Sequence, residues 1–240
     1  TINGGAGDDT IDLDGAGGDN IEVSGGAGDD TITGTAESEE ISGDAGDDVI
    51  VGGDGADVIS AGAGTDNIYG GAGADTINVG EGDNFIQIDT LLDGSAATGA
   101  GGTFGGFDTY TGFDADSGDV LVFDSGDNTN GGTVGTSIVD NVFVIASDDA
   151  DTAANDLAAD GSDRTDVDSV ISFLTDVDDG TYAETANEVD LVAVTFATSG
   201  DTAVYLVNND ADTDAAAGEV TLLGTIDTDD NLNAADFVIA

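Results

Sequence analysis

The chain has 240 residues, of which 52 are Asp or Glu and one, Arg164, is basic, giving a formal charge of −51 at pH 7. That balance excludes nucleic acid and anionic membrane surfaces as partners, since both need a basic footprint. The absence of Cys and His excludes disulfides, thiol nucleophiles, Ser/His/Asp triads and zincin sites. A hydrophobic content of 39% still allows a core, so cations from solution, held by oxygen ligands, are what remains to offset the carboxylates.

In chain order, the first residues, Thr1-Ile2-Asn3, show neither a start Met nor the charged-then-apolar pattern of a signal peptide. They fit positions seven to nine of a nine-residue unit, Gly-Gly-x-Gly-x-Asp-x-apolar-x, with Ile2 in the apolar slot, and the expectation is that the repeat continues upstream. Gly4 to Asp12 is the first full unit, Asp14 to Glu22 the second and Gly25 to Thr33 the third, with Leu13 and Val23-Ser24 read as insertions. From Gly25 to Gln87 the units follow without a gap, and their eighth positions are Ile32, Ile41, Ile50, Ile59, Ile68, Ile77 and Ile86. A β-branched residue at every eighth place, between smaller or polar neighbours, predicts a short strand with one inward side chain. The glycine half of each unit predicts a turn whose backbone carbonyls crowd together.

The sixth positions are Asp9, Asp19, Asp30, Asp48, Asp57, Asp66 and Asp75, interrupted by Glu39 in the fourth unit and Asn84 in the ninth. This pattern resembles the RTX nonapeptide repeat, up to about residue 90. The resemblance implies a parallel β-roll with two units per coil, in which the Asp at position six binds Ca²⁺ together with its equivalent two units on. Eighteen residues separate Asp30 from Asp48, Asp48 from Asp66 and Asp57 from Asp75, so these pairs are the candidate sites. Backbone carbonyls complete the shell in that family. The matching positions are Gly53, Gly55, Gly70 and Ala72 for the Asp57/Asp75 pair, and Gly26, Gly28, Gly43, Ala45, Gly46, Ala61 and Ala63 for the others. About six oxygens of this kind suit Ca²⁺ better than Mg²⁺. Glu39 departs from the pattern, Asn84 offers a neutral and weaker ligand, and the insertions at Leu13 and Val23 are expected to disturb the pairing of Asp9 with Asp30.

Past Gln87 the period stops. The expected organisation is a calcium-binding parallel β-roll over 1–92, a Gly-rich connection over 93–108, and a β-rich domain over 109–240, either sandwich-like or an extension of the roll. Strands are predicted at Asp119 to Phe123, Val142 to Ala146, Val189 to Ala197, Ala203 to Val207 and Glu219 to Leu223, with a hairpin turn at Thr198-Ser199-Gly200-Asp201. Asp148 to Asp168 reads as an acidic surface loop, and 166–176 as either a short amphipathic helix or a strand. The acidic groups Asp114 to Asp119 and Asp210, Asp212 and Asp214 read as solvated turns or as further calcium loops. The tail Ala235-Asp236-Phe237-Val238-Ile239-Ala240 resembles a C-terminal signal of type I secretion, with a final packed strand as the other reading.

The all-β fold class and the resemblance together imply a secreted or cell-surface protein that folds on Ca²⁺ after type I secretion. No catalytic constellation is present, and the expectation is a non-enzyme. Two roles fit: a structural surface protein of S-layer or adhesin type, self-associating through calcium-bridged acidic surfaces, or the secretion and folding module of a larger exoenzyme such as a serralysin-like protease or lipase. Neither involves membrane insertion.

Overall fold

The computed structural model describes residues 1–17, 20–89, 95–96, 107–114, 118–124, 141–146, 189–195, 202–208, 220–227 and 237–239. Over the repeats, strands alternate between two sheets. They are β1 (Ile2–Ala6), β2 (Thr10–Asp12), β3 (Glu22–Ala27), β4 (Thr31–Thr33), β5 (Glu40–Ala45), β6 (Val49–Gly55), β7 (Val58–Ala63), β8 (Asn67–Gly73), β9 (Thr76–Asn78) and β10 (Phe85–Asp89). Odd-numbered strands form one sheet in the order β1-β3-β5-β7-β9, and even-numbered strands the other in the order β2-β4-β6-β8-β10. All these pairs are parallel, and the register advances by one coil of two units: Glu40 faces Val58, which faces Thr76, while Val49 faces Asn67, which faces Phe85.

That register is what the nine-residue period demands. Because side chains alternate across a strand, the eighth residue of every unit points inward and its two neighbours point out. Ile32, Ile41, Ile50, Ile59, Ile68, Ile77 and Ile86 are all buried. Val49, Val58 and Phe85, which flank such positions, are exposed. The turns between sheets need a left-handed backbone, as at Gly53 with φ of 116°. Asp44 holds the equivalent place in its own unit with φ of 74°, and its carboxylate accepts hydrogen bonds from Ser24 and Ser42.

Two expectations for the first coils are corrected. Val23, read as an insertion, is the inward residue of β3, buried and facing both Ile2 and Ile41, while Ile21 is only half-buried. The extra residues do not part Asp9 from Asp30: Thr10 faces Thr31 and the Asp9 amide donates to Asp30 Oδ1 at 2.7 Å. A loop absorbs the added length, because only the strand register carries the stacking.

Beyond residue 92 come β11 (Ser95–Ala96), β12 (Asp108–Thr111), β13 (Val120–Asp124), β14 (Asn141–Ala146), β15 (Val189–Thr195), β16 (Thr202–Asn208), β17 (Val220–Asp227) and β18 (Phe237–Ile239). β12 pairs in parallel with β9, and β13 with β10, so both sheets of the roll run on. The first sheet then continues through β17, β16, β15 and β14, with β15-β16 and β16-β17 antiparallel. The predicted strands therefore form, and those at 189–195 and 202–208 pair as the hairpin reading requires. Val204, Tyr205, Leu222, Leu223 and Ile226 are buried among them. β18 pairs with β13 and buries Phe237, so Phe237–Ile239 form a packed strand. The expected turn at 198–201, the acidic stretch 148–168, the segment 166–176 and the Asp210, Asp212 and Asp214 group lie outside the described residues. Among the described residues no helix is long and apolar enough to cross a membrane.

Candidate metal centre

The sixth-position residues are held at the two edges where the sheets turn into each other. Along one edge the backbone N–H of Asp9 donates to Oδ1 of Asp30, Asp30 to Asp48, Asp48 to Asp66, Asp66 to Asn84, and Asn84 to Asp119, at 2.7–2.9 Å. Along the other edge Glu39 donates to Asp57, Asp57 to Asp75, and Asp75 to Asp108, each at 2.8 Å. Each coil thus adds one rung to a ladder, and one carboxylate oxygen per rung satisfies a backbone amide that would otherwise be stranded at the turn.

The second oxygen is the chemically informative one. Oδ2 of Asp9, Asp30, Asp48, Asp57, Asp66 and Asp75 is buried with no hydrogen-bond partner. Leaving such an atom unsatisfied costs about 1–3 kcal/mol, more for a charged group, and here it recurs coil after coil. The surrounding space is kept open by glycine. A methyl group placed on Gly52 would lie 2.6 Å from Asp57 Oδ2 and closer still to the Gly70 carbonyl. On Gly4 it would meet Asp9 Oδ2 at 2.8 Å and the Gly25 carbonyl at 2.6 Å. On Gly25 it would strike Asp30 Oδ2 and come within 2.9 Å of the Gly43 carbonyl, and on Gly43 it would strike Asp48 Oδ2 and the Ala61 carbonyl. In four units, then, one carboxylate oxygen and one carbonyl oxygen from the next coil converge on a place that any side chain would fill.

Electrostatics points the same way. Burial pushes the Asp57 carboxyl up to about 7, with the Asp75 and Glu39 charges adding to it against the Glu39 amide bond. Burial likewise lifts Asp48 to about 6, reinforced by Asp66, Asp30 and Asp29. Asp66 and Asp75 are raised, chiefly by burial. Six inward oxygens with no positive partner, in a chain with a single basic residue, form an acceptor set that only a cation or a proton completes. Among the described residues no three acidic side chains gather around one point. Backbone carbonyls must therefore supply most of any shell, which suits a large, flexible oxygen-coordinated ion such as Ca²⁺.

Of the residues expected at these sites, the structure brings Asp30 beside Gly43, Asp48 beside Ala61 and Asp57 beside Gly70. Gly26, Gly28, Ala45, Gly46, Gly53, Gly55, Ala63 and Ala72 stack coil on coil in the glycine-rich halves. Within that stack Gly28 N–H donates to the Ala45 carbonyl at 2.9 Å and Gly46 N–H to the Ala63 carbonyl at 3.0 Å. Asp19 lies outside the described residues. Asp9 joins its ladder in register, together with the Gly25 carbonyl, which the sequence reading did not single out.

Two rungs were also missed: Asp108 and Asp119, both buried. Burial pushes Asp108 up to about 7, with Asp75 and Asp57 adding to it, and raises Asp119. Their signal was the second half of the unit, Asp-x-apolar-x, in Asp108-Thr109-Tyr110-Thr111 and Asp119-Val120-Leu121-Val122, without the Gly-Gly pair that opens the repeat. Asp119 was grouped instead with the exposed Asp114 as part of an acidic turn.

Comparison with known families matches residues 14–50, 24–59, 33–67 and 51–86 to the RTX calcium-binding nonapeptide repeat. No curated protein matches the chain. Among solved structures, the solution structure of the AlgE6R3 subunit from the Azotobacter vinelandii mannuronan C5-epimerase is similar at 19% identity, over 93% of this chain and 80% of that one, with a TM-score of 0.32.

Proposed function

Because residues 14–86 are RTX calcium-binding nonapeptide repeats forming a parallel β-roll, we propose that the sixth-position Asp ladders are the calcium sites and that the chain is a non-catalytic structural protein of the bacterial surface, of S-layer or adhesin type. The six unpartnered Oδ2 atoms carry this reading. Asp9, Asp30, Asp48, Asp57, Asp66 and Asp75 supply them, and Gly25, Gly43, Ala61 and Gly70 supply carbonyls from the next coil. When bound, calcium supplies positive charge between coils, and everything else is done by the chain: the Asp Oδ1 atoms tie coil to coil, the glycines keep the cradle open, and the Ile stack excludes water.

Binding of this kind couples to folding. An ion that binds only the folded roll stabilises it by roughly 2.7 kcal/mol when calcium exceeds Kd a hundredfold, so the roll is ordered outside the cell, where calcium is high, and not inside. Type I secretion of an unfolded chain accords with that. The surplus of carboxylates beyond the ladders, such as exposed Asp8, Asp29 and Asp47, supports calcium bridging between copies. Electron microscopy of the full chain with calcium tests the role: ordered sheets or filaments that dissolve with chelator are expected, and monomers at every calcium concentration would contradict self-assembly. The second reading, a folding module of a larger exoenzyme, rests on the same ladders and predicts such monomers.

A further inference from the structure

We infer that Glu39, Asn84, Asp108 and Asp119 are rungs that carry the fold without taking a cation, so that the chain's own donors set where calcium binding stops. This rests on the calcium reading above and goes beyond it by separating two kinds of rung. In their structural half Asn84, Asp108 and Asp119 accept a rung amide like the others, and Glu39 joins its ladder through its own amide. Asp108 Oδ1 accepts the Asp75 amide at 2.8 Å, Asp119 Oδ1 accepts the Asn84 amide at 2.8 Å, Asn84 Oδ1 accepts the Asp66 amide at 2.9 Å, and the Glu39 amide donates to Asp57 at 2.8 Å.

They differ in the other half. Glu39, longer by one methylene, turns back on its own unit, where Oε2 accepts the Thr35 amide at 3.0 Å and Oε1 the Thr35 hydroxyl at 2.7 Å. Asp108 Oδ2 accepts the Tyr110 hydroxyl at 2.9 Å. Asp119 Oδ2 accepts the Asp114 amide at 2.8 Å. Asn84 presents Nδ2, a donor, to the Gly82 carbonyl at 3.3 Å. Where a calcium ligand needs a bare lone pair, each of these rungs offers one already facing a proton, or none at all. An ion there competes with a buried hydrogen bond to a carboxylate at Glu39, Asp108 and Asp119, among the stronger kinds, and faces a donor at Asn84.

The placement is ordered. On one edge Glu39 and Asp108 close the ladder on either side of Asp57 and Asp75, and on the other Asn84 and Asp119 close the run from Asp9 to Asp66. Tyr110 also fixes the end of the roll to β17, where a methyl on Gly224 would come within 2.8 Å of its ring. Calcium-dependent coils thus abut a coil that the chain satisfies by itself.

The test is calcium stoichiometry of the full chain, by native mass spectrometry at saturating calcium, with circular dichroism to confirm folding. Asp75→Asn should lose at least one ion, Asp108→Asn none, and Tyr110→Phe should gain one by baring Asp108 Oδ2. Should Tyr110→Phe fail to fold, Thr35→Val, which strips the hydroxyl from Glu39, is expected to gain an ion in the same way. Loss of an ion from folded Asp108→Asn, or no gain in the folded uncapped variant, would overturn the inference while leaving the calcium reading intact. A wild-type chain that binds no calcium would overturn both.

Discussion

The repeat roll and the antiparallel strands after it are built from the same residue types, yet they bury different things. The regular coils of the roll hide an Ile from each sheet between mostly acidic rungs, and six of those rungs keep a carboxylate oxygen bare. The hairpin strands hide Val204, Tyr205, Leu222, Leu223 and Ile226, and among the described residues no carboxylate oxygen there is buried without a partner. A sheet of the second kind closes by hydrophobic burial alone, whereas the first must also be neutralised. The proposed calcium sites therefore place cation dependence in the ladders, not in acidity in general.

Truncating one inward residue in each region is the strongest way to probe that contrast. Ile50→Ala and Leu222→Ala should each cost about 2–5 kcal/mol, as buried aliphatic deletions do. Only Ile50→Ala should raise the calcium concentration needed for folding, because Leu222 lies away from the ladders; thermal melts at several calcium concentrations distinguish them. A smaller and more local effect is expected from Gly52→Ala. Its methyl would occupy the space between Asp57 Oδ2 and the Gly70 carbonyl, so calorimetry should show one site lost or weakened roughly tenfold, about 1.4 kcal/mol.

The weakest lever is pH, and its sign should invert with calcium. In the ion-free roll Asp57 and Asp48 titrate near 7 and 6 against an ordinary 3.8. Their protonated forms favour the fold below about pH 4, and that support is lost as pH rises through 6 to 7. With chelator, β structure should therefore increase from pH 8 to pH 5. With calcium, protons compete for the same oxygens, and the calcium midpoint should rise over the same descent.

Much of this was legible in the sequence because the repeat encodes it twice. The Ile phasing fixes which side chains point inward, and the eighteen-residue spacing fixes which Asp residues stack. Val23 and the Asp9/Asp30 pair were misjudged for one reason: counting residues treats a loop insertion as a register error, while strand pairing ignores it. Asp108 and Asp119 were hidden because their units lack the opening Gly-Gly pair and lie 33 and 35 residues from the rungs they join. Capping by Thr35, Tyr110 and Asp114 depends on side-chain and backbone geometry that no nine-residue pattern expresses.

Hydrogen exchange resolved by segment, with and without calcium, tests the central claim most directly. The amides of Asp30, Asp48, Asp57 and Asp66, which donate within the ladders, should be strongly protected with calcium and exchange freely in chelator, while 202–208 and 220–227 change far less. Equal protection of the ladder amides in both conditions would contradict the account.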